Sequence, residues 1–296
     1  MSTDIFQDSI TFFDSAMGTQ LMDAGALPAG ASSERANIEA PDVVTDIHRR
    51  NIEAGSDIIT TNTFSVHIGD GTRGDDPVAA EAALRAGVRL AKKAAASATG
   101  GRRVLTALDI GPVGDIIELT SSLTHADATG MFARAAAIGA EEGADLILIE
   151  TMSDLAEAMD AIIASKAGTS LPVICSMTFS EGGRTFMGVS PEDFVEAALG
   201  AGADAIGANC TLGPSEMISI AKTLVAAAGK DVPVLIQPNA GQPQMRGTEV
   251  YYDMTPEVFV HGMMAMVEAG VSIVGGCCGT TPEMIARLKE RANGTA

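Results

Sequence analysis

The chain has 296 residues, enough for one large domain or two small ones, and 46% of them are apolar. Its 38 acidic residues against 19 basic ones give a formal net charge of -19, which sets most of the surface against nucleic acid and anionic membranes. No apolar run reaches the roughly 18–20 residues of a membrane span, and the acidic opening MSTDIFQDSI does not read as a signal peptide, so a cytoplasmic chain is expected.

Short apolar runs alternate with longer helical stretches from end to end. Thr11–Asp14 reads as a strand and is followed by a long segment, Met17–Pro41, expected to lie over the mouth of the fold. The helix Val43–Ala54, the strand Asp57–Thr60 and the helix Pro77–Ala98 come next. Then follow the strand Val104–Asp109, the helix Ala126–Glu142, the strand Leu146–Glu150 and the helix Asp154–Ala167. The last four units are Val173–Met177 with Pro191–Ala201, Ala205–Ala208 with Pro214–Ala228, Val234–Gln237 with Pro256–Ala269, and Ser272–Gly275 with Pro282–Ala292. Strands that are apolar throughout suit a parallel sheet covered on both faces. Ser190-Pro191, Thr255-Pro256 and Thr281-Pro282 each set a capping hydroxyl before a proline at the first helical position. "EAGSD", "EEGAD", "GAGAD" and "EAGVS" place a glycine where each preceding helix must stop. Eight such units predict an α/β protein, a (β/α)₈ TIM barrel forming a single domain over residues 1–296. An open doubly wound sheet fits less well, because the first turn, "DSAMGTQ", is not a dinucleotide fingerprint.

In such barrels the chemistry sits where strands end. Those positions hold Asp14, "TNTF" at 61–64, Asp109, Glu150, "GANC" at 207–210, "QPNAGQP" at 237–243 and "GGCCGT" at 275–280. Cys210 follows the sixth strand and Cys277–Cys278 the eighth, so their loops flank the seventh and can converge. Three thiolates suit zinc, with a fourth position left open. Gly275, Gly276 and Gly279 supply the freedom to turn both adjacent thiols toward one ion. The residues alone leave other uses of this loop open: small apolar filler, a vicinal disulfide, or a phosphate cradle at Gly275-Gly276. Cys175, inside a strand, reads as core. His48 and His67 read as packing or surface residues with a reserve role as ligands. Two carboxylates at the mouth, Asp14 and Glu150, suggest a cationic group on the substrate.

The motifs "GANCTLGP", "IQPNAGQP" and "GGCCGTTPE" resemble the homocysteine S-methyltransferase family. "DSAMGTQL", "DIGPVG", "IETMSDL" and "MTFSEGGRT" are most similar to the homocysteine-binding module of cobalamin-dependent methionine synthase. The resemblance covers nearly the whole chain in order. It implies a zinc-dependent methyltransferase that makes methionine from L-homocysteine, with Cys210, Cys277 and Cys278 on one zinc ion and no further catalytic side chain. It implies that Asp14 and Glu150 hold the substrate amino group, and that Ser15, Thr19, Asn62, Thr63, Asn209 and Asn239 line the substrate pocket. Ser15 stands where the family has glycine; its N–H is expected to stay available, with a Cβ set at the amino-acid end of the substrate. "DIHRRN" at 46–51 only begins like a cobalamin-binding pattern, and it lies in a helix.

The methyl donor is the least explicit part. A betaine donor suits an aromatic cage, yet the chain has no Trp and two adjacent tyrosines, Tyr251 and Tyr252, expected to point opposite ways. Phe64 and Phe179 would add further faces. The resemblance implies instead methylcobalamin carried by a separate corrinoid-binding protein. The alternatives are a betaine- or sulfonium-dependent methyltransferase and, in another class, a non-catalytic zinc- or homocysteine-binding subunit.

Overall fold

The computed structural model describes residue 6 and residues 10–28, 31–69, 76–114, 116–117, 119, 122–247 and 249–294. Most of the acidic opening stretch lies outside these described residues.

Eight parallel strands build the barrel wall: β1 (Thr11–Phe12), β2 (Ile58–Thr60), β3 (Leu105–Ile110), β4 (Leu146–Met152), β5 (Val173–Met177), β6 (Ala205–Asn209), β7 (Val234–Gln237) and β10 (Ile273–Val274). Their order around the wall is β1-β10-β7-β6-β5-β4-β3-β2, so each strand lies beside its neighbour in sequence. Register is set pair by pair, for example Thr11 opposite Ile273 and Ile206 opposite Val234. Buried side chains from alternate strand positions fill the interior. Phe13, Ile58, Ala107, Leu148, Ile174, Ala205, Leu235 and Ile273 form one cluster there. A larger apolar layer lies between strands and helices, as a parallel sheet covered on its outer face requires.

The helices are α1 (Met17–Asp23), α2 (Ala36–Glu39), α3 (Pro41–Ala54), α4 (Pro77–Ala96), α5 (His125–Glu141), α6 (Leu155–Gly168), α7 (Pro191–Ala201), α8 (Pro214–Ala228), α9 (Pro256–Glu268) and α10 (Pro282–Ala292). Ser190, Thr255 and Thr281 cap α7, α9 and α10 as the sequence predicts, each hydroxyl accepting a backbone N–H in the first turn. The stop glycines Gly55, Gly143, Gly202 and Gly270 all have positive φ.

The segment Met17–Pro41, read from sequence as a loop, carries α1 and α2, and two features of the strands were not foreseen either. The first is a small antiparallel pair, β8 (Gln244–Arg246) with β9 (Glu249–Tyr251), within the loop after β7. The second is the closure of the barrel between β1 and β2. The strand expected over Thr11–Asp14 is regular over Thr11–Phe12; its backbone bonding on the β10 side continues through Phe13 N–H to Val274 O (2.7 Å) and Gly276 N–H to Asp14 O (3.1 Å), while on the β2 side side chains complete the seam. Asp57 N–H donates to Phe12 O (2.7 Å) and Phe12 N–H donates to Asp57 Oδ2 (3.1 Å). Asp14 bridges to Thr60, accepting its N–H at Oδ2 and its hydroxyl at Oδ1, each at 2.9 Å.

Candidate active site at the barrel mouth

Strand ends and loops enclose a cavity of about 400 Å³ at the carboxyl end of the barrel. Its lining includes Asp14, Ser15, Thr19, Asn62, Asp109, Glu150 and the thiols of Cys210, Cys277 and Cys278. Met17, Met22 and Ser33 join from the long first loop, and Val250 and Tyr252 from the loop after β7. No Lys, Arg or His is among these described lining residues.

The three sulfurs lie within 4.8 Å of one another. Cys277 Sγ and Cys278 Sγ are 4.0 Å apart, too far for a vicinal disulfide. Backbone bonds fix the converging loops. Cys210 N–H donates to Gln237 O (3.0 Å), Cys277 N–H to Pro238 O (2.9 Å), and Ala240 N–H to Cys278 O (2.9 Å). Thr280 Oγ1 donates to Cys277 O (2.7 Å) and accepts Ala16 N–H (3.1 Å). The glycines act differently from expectation. Gly279 alone of the three has positive φ, +79°. Gly275 and Gly276 are needed for space, since a Cβ on Gly276 would lie 2.3 Å from Thr280 Oγ1.

Cys210 itself has φ 62°, as do, closely, Thr211 (61°) and Thr151 (61°). These are the only non-glycine residues with positive φ among those described, and such residues carry roughly 1–2 kcal/mol of strain each. All three border the site, and hydrogen bonds hold Thr151 and Cys210 there. Asn209, fully buried, does this for Thr151. Its Oδ1 accepts Thr151 N–H (2.9 Å) and Ser176 Oγ–H (2.8 Å); its Nδ2 donates to Thr151 Oγ1 (2.7 Å) and Glu150 Oε2 (3.2 Å). One amide thus sets both the irregularity in β4 and the carboxylate of Glu150.

Not every expected pocket residue reaches the cavity. Asn209 stands behind Glu150. Asn239 is buried and donates to the Cys210 sulfur. Thr63 is buried and donates to Asp109 O at 2.7 Å. Ser15 does line the cavity, but its N–H is not available as expected. Both its N–H (3.0 Å) and its hydroxyl (2.7 Å) donate to Asn51 Oδ1 in α3. Thr19 lines the cavity, and its hydroxyl is buried with no partner among the described residues. Cys175 and His48 are fully buried core residues, and His67 packs edge-on to Phe132; neither histidine joins the thiol cluster. Phe179 packs on Phe194 in the core. Tyr251 turns outward under Arg246, while Tyr252 turns inward to Cys278.

The electrostatics are uniformly acidic. Contact with Cys277 and then Cys278 holds Cys210 well below the usual thiol range, while Cys278 is pushed up to about 12 by the Cys210 sulfur. Burial, and then the Cys210 charge, raises Glu150 to about 8. Burial raises Asp14 to about 7 despite its bonds from Thr60. Asp109, not assigned a role from sequence, is raised by burial and then by Glu150, Asp14 and Glu34. Its strand-end position was the signal that marked it.

Asp14 gives a pH-dependent stability. Between its ordinary range near 3.8 and about 7, the folded chain holds a proton that the unfolded chain releases. Stability is therefore fully present below pH 4 and lost as pH rises toward 7, by at most about 4 kcal/mol. Melting temperature should fall from pH 5 to pH 8 in calorimetry, and Asp14→Asn should flatten that slope. An unchanged slope in the variant would remove Asp14 as its source.

Residues 11–292 match the family model for homocysteine S-methyltransferase. The chain is 32% identical over 291 residues to methionine synthase of Mycobacterium leprae, covering 93% of this chain and 24% of that protein. It is 31% identical over 301 residues to methionine synthase of Mycobacterium tuberculosis, covering 96% and 25%. The chain thus spans about a quarter of the length of these relatives. Among solved structures, the metallated form of the homocysteine methyltransferase MmuM from Escherichia coli superposes with a TM-score of 0.79 at 23% identity, over 96% of this chain and 97% of that one. Its oxidised form gives 0.81 at 22% identity, over 98% of each.

Proposed function

The chain belongs to the homocysteine S-methyltransferase family, and on that premise we propose that it methylates the sulfur of L-homocysteine to give methionine, with zinc on Cys210, Cys277 and Cys278. The observation that carries the reading is the thiol triad, within 4.8 Å, on a cavity lined by three carboxyl groups and by no Lys, Arg or His among the described residues. Tetrahedral zinc with bonds of about 2.3 Å to sulfur needs sulfurs about 3.8 Å apart, and Cys277 and Cys278 stand at 4.0 Å. Zinc held by Cys210, Cys277 and Cys278 would supply the Lewis acidity that activates a substrate thiol.

The chain's own residues do the rest. Asp14 and Glu150 take the substrate ammonium, and the shared proton-holding tendency of these buried acids is relieved when that cation arrives. Ser15 is fixed by Asn51 and supplies wall, so the substrate carboxylate falls to other neutral donors, of which the unpartnered Thr19 hydroxyl is one. Tyr252, Met22 and Val250 add largely apolar wall to the cavity.

The donor we propose is a methyl-corrinoid carried on a protein that docks over the mouth. Large apolar side chains stand exposed on loops leaving the carboxyl ends of β3, β5 and β7: Leu119 (73%), Phe186 (85%) and Met245 (63%). Such a rim suits a protein partner. Only Phe64 and Tyr252 bring aromatic rings to the cavity among the described residues, too few to cage a quaternary ammonium. Zinc-loaded protein with homocysteine should turn over with protein-bound methylcobalamin, and not with glycine betaine, S-methylmethionine or dimethylsulfoniopropionate. Fast turnover with betaine and none with methylcobalamin would refute the donor and leave the thiol chemistry standing.

A further inference from the structure

We propose that Asp109 is a third residue holding the substrate ammonium, and that it makes the site selective for an unsubstituted primary amine. The inference rests on the homocysteine reading above.

Asp14, Asp109 and Glu150 stand on an arc of the barrel rim formed by β1 to β4, and all three line the cavity. The first and last have protein partners. Asp14 accepts two bonds from Thr60, and Glu150 accepts Asn209 Nδ2. Asp109 differs. It is 6% exposed, and its Oδ1 is buried with no hydrogen-bond partner among the described residues. A buried carboxyl oxygen left this way costs free energy unless a ligand supplies a donor.

Its backbone is tightly placed. Asp109 N–H donates to Thr61 Oγ1 (3.0 Å) and Thr63 Oγ1 donates to Asp109 O (2.7 Å), with the two hydroxyls 2.6 Å apart. This explains the TNTF motif in part: Thr61 and Thr63 hold Asp109 at the cavity. Its charged neighbours are Glu150, Asp14 and Glu34, all acidic, so no neighbouring protein cation supplies the missing donor. Among the described residues the three cysteines alone are close enough to share a metal ion. The carboxylates are spaced more widely. An ammonium, whose hydrogen bonds reach about 2.7–2.9 Å, bridges a wider gap than a small divalent ion. It also offers three N–H donors for three carboxyl groups. N-methylation keeps the charge but removes one donor and strands one acid.

Calorimetric titration of zinc-loaded wild type, Asp109→Asn and Asp109→Ala with homocysteine and N-methylhomocysteine tests this. Wild type should favour the primary amine by about tenfold or more. Both variants should lose about 10- to 100-fold in homocysteine affinity while keeping their zinc, and the preference should shrink in both. Removing an unpaired acid from an acidic cluster should leave melting temperature unchanged or raised, whereas a structural role would lower it. Wild-type binding with unaltered affinity and selectivity in the variants overturns the assignment alone, as does a lowered melting temperature in both. No homocysteine binding by zinc-loaded wild type overturns the homocysteine reading and this proposal with it.

Discussion

Cys210→Ala is expected to reduce bound zinc from near one equivalent to less than about a tenth, and to abolish methyl transfer. Loss of even an outer-shell partner typically costs 10- to 100-fold in metal affinity, and Cys210 would be a direct ligand. The change should spare the fold. Cys210 is only partly buried, and alanine inherits the same backbone strain rather than adding to it. The loop stays tied by Cys210 N–H to Gln237 O, a bond that does not involve the side chain. Cys175→Ala is the control. Its thiol is fully buried in the wall, and burial raises it far above the usual range, so zinc should be unaffected. Metal analysis with a melting curve separates these cases. Equal zinc in wild type and Cys210→Ala would contradict the triad.

Asn209→Ala is expected to be the most damaging change outside the triad. It removes four hydrogen bonds made by a fully buried side chain. Thr151 would keep a strained φ without its anchor, and Glu150 would lose the donor that aims it. Leaving buried partners unsatisfied costs about 1–3 kcal/mol each, partly recovered by relaxation, so a net loss of about 3 kcal/mol is expected. For a chain of this size that is about 6–12 °C in melting temperature. Homocysteine affinity should fall with it while zinc stays bound. A variant within 1–2 °C of wild type and with normal affinity would show that the β4 irregularity is held by other means.

The barrel and the triad were legible in the sequence because their signals are local. Proline after a capping hydroxyl sets the starts of α7, α9 and α10 at Pro191, Pro256 and Pro282. Apolar runs of four to six residues give the wall strands. The β8–β9 pair was missed because QMR and EVY are short and no apolar alternation marks them. The way β1 closes on β2 was not visible because that seam runs through the Asp14 and Asp57 side chains, which no periodicity reports. The positive φ of Thr151 and Cys210 has no sequence signal at all, since neither residue type favours it. The engagement of Ser15 by Asn51, 36 residues away, depends on how α3 packs under the first loop. Asp109 was visible as a strand-end acid, but its lack of a partner is a property of the folded neighbourhood.

The central claim is that three thiolates hold zinc with one position left for the substrate sulfur. X-ray absorption at the zinc edge, on metal-loaded protein before and after adding homocysteine, measures this directly. The account expects three sulfur neighbours at about 2.3 Å rising to four. A shell that keeps three sulfurs with homocysteine bound, or that already holds four without it, would contradict it.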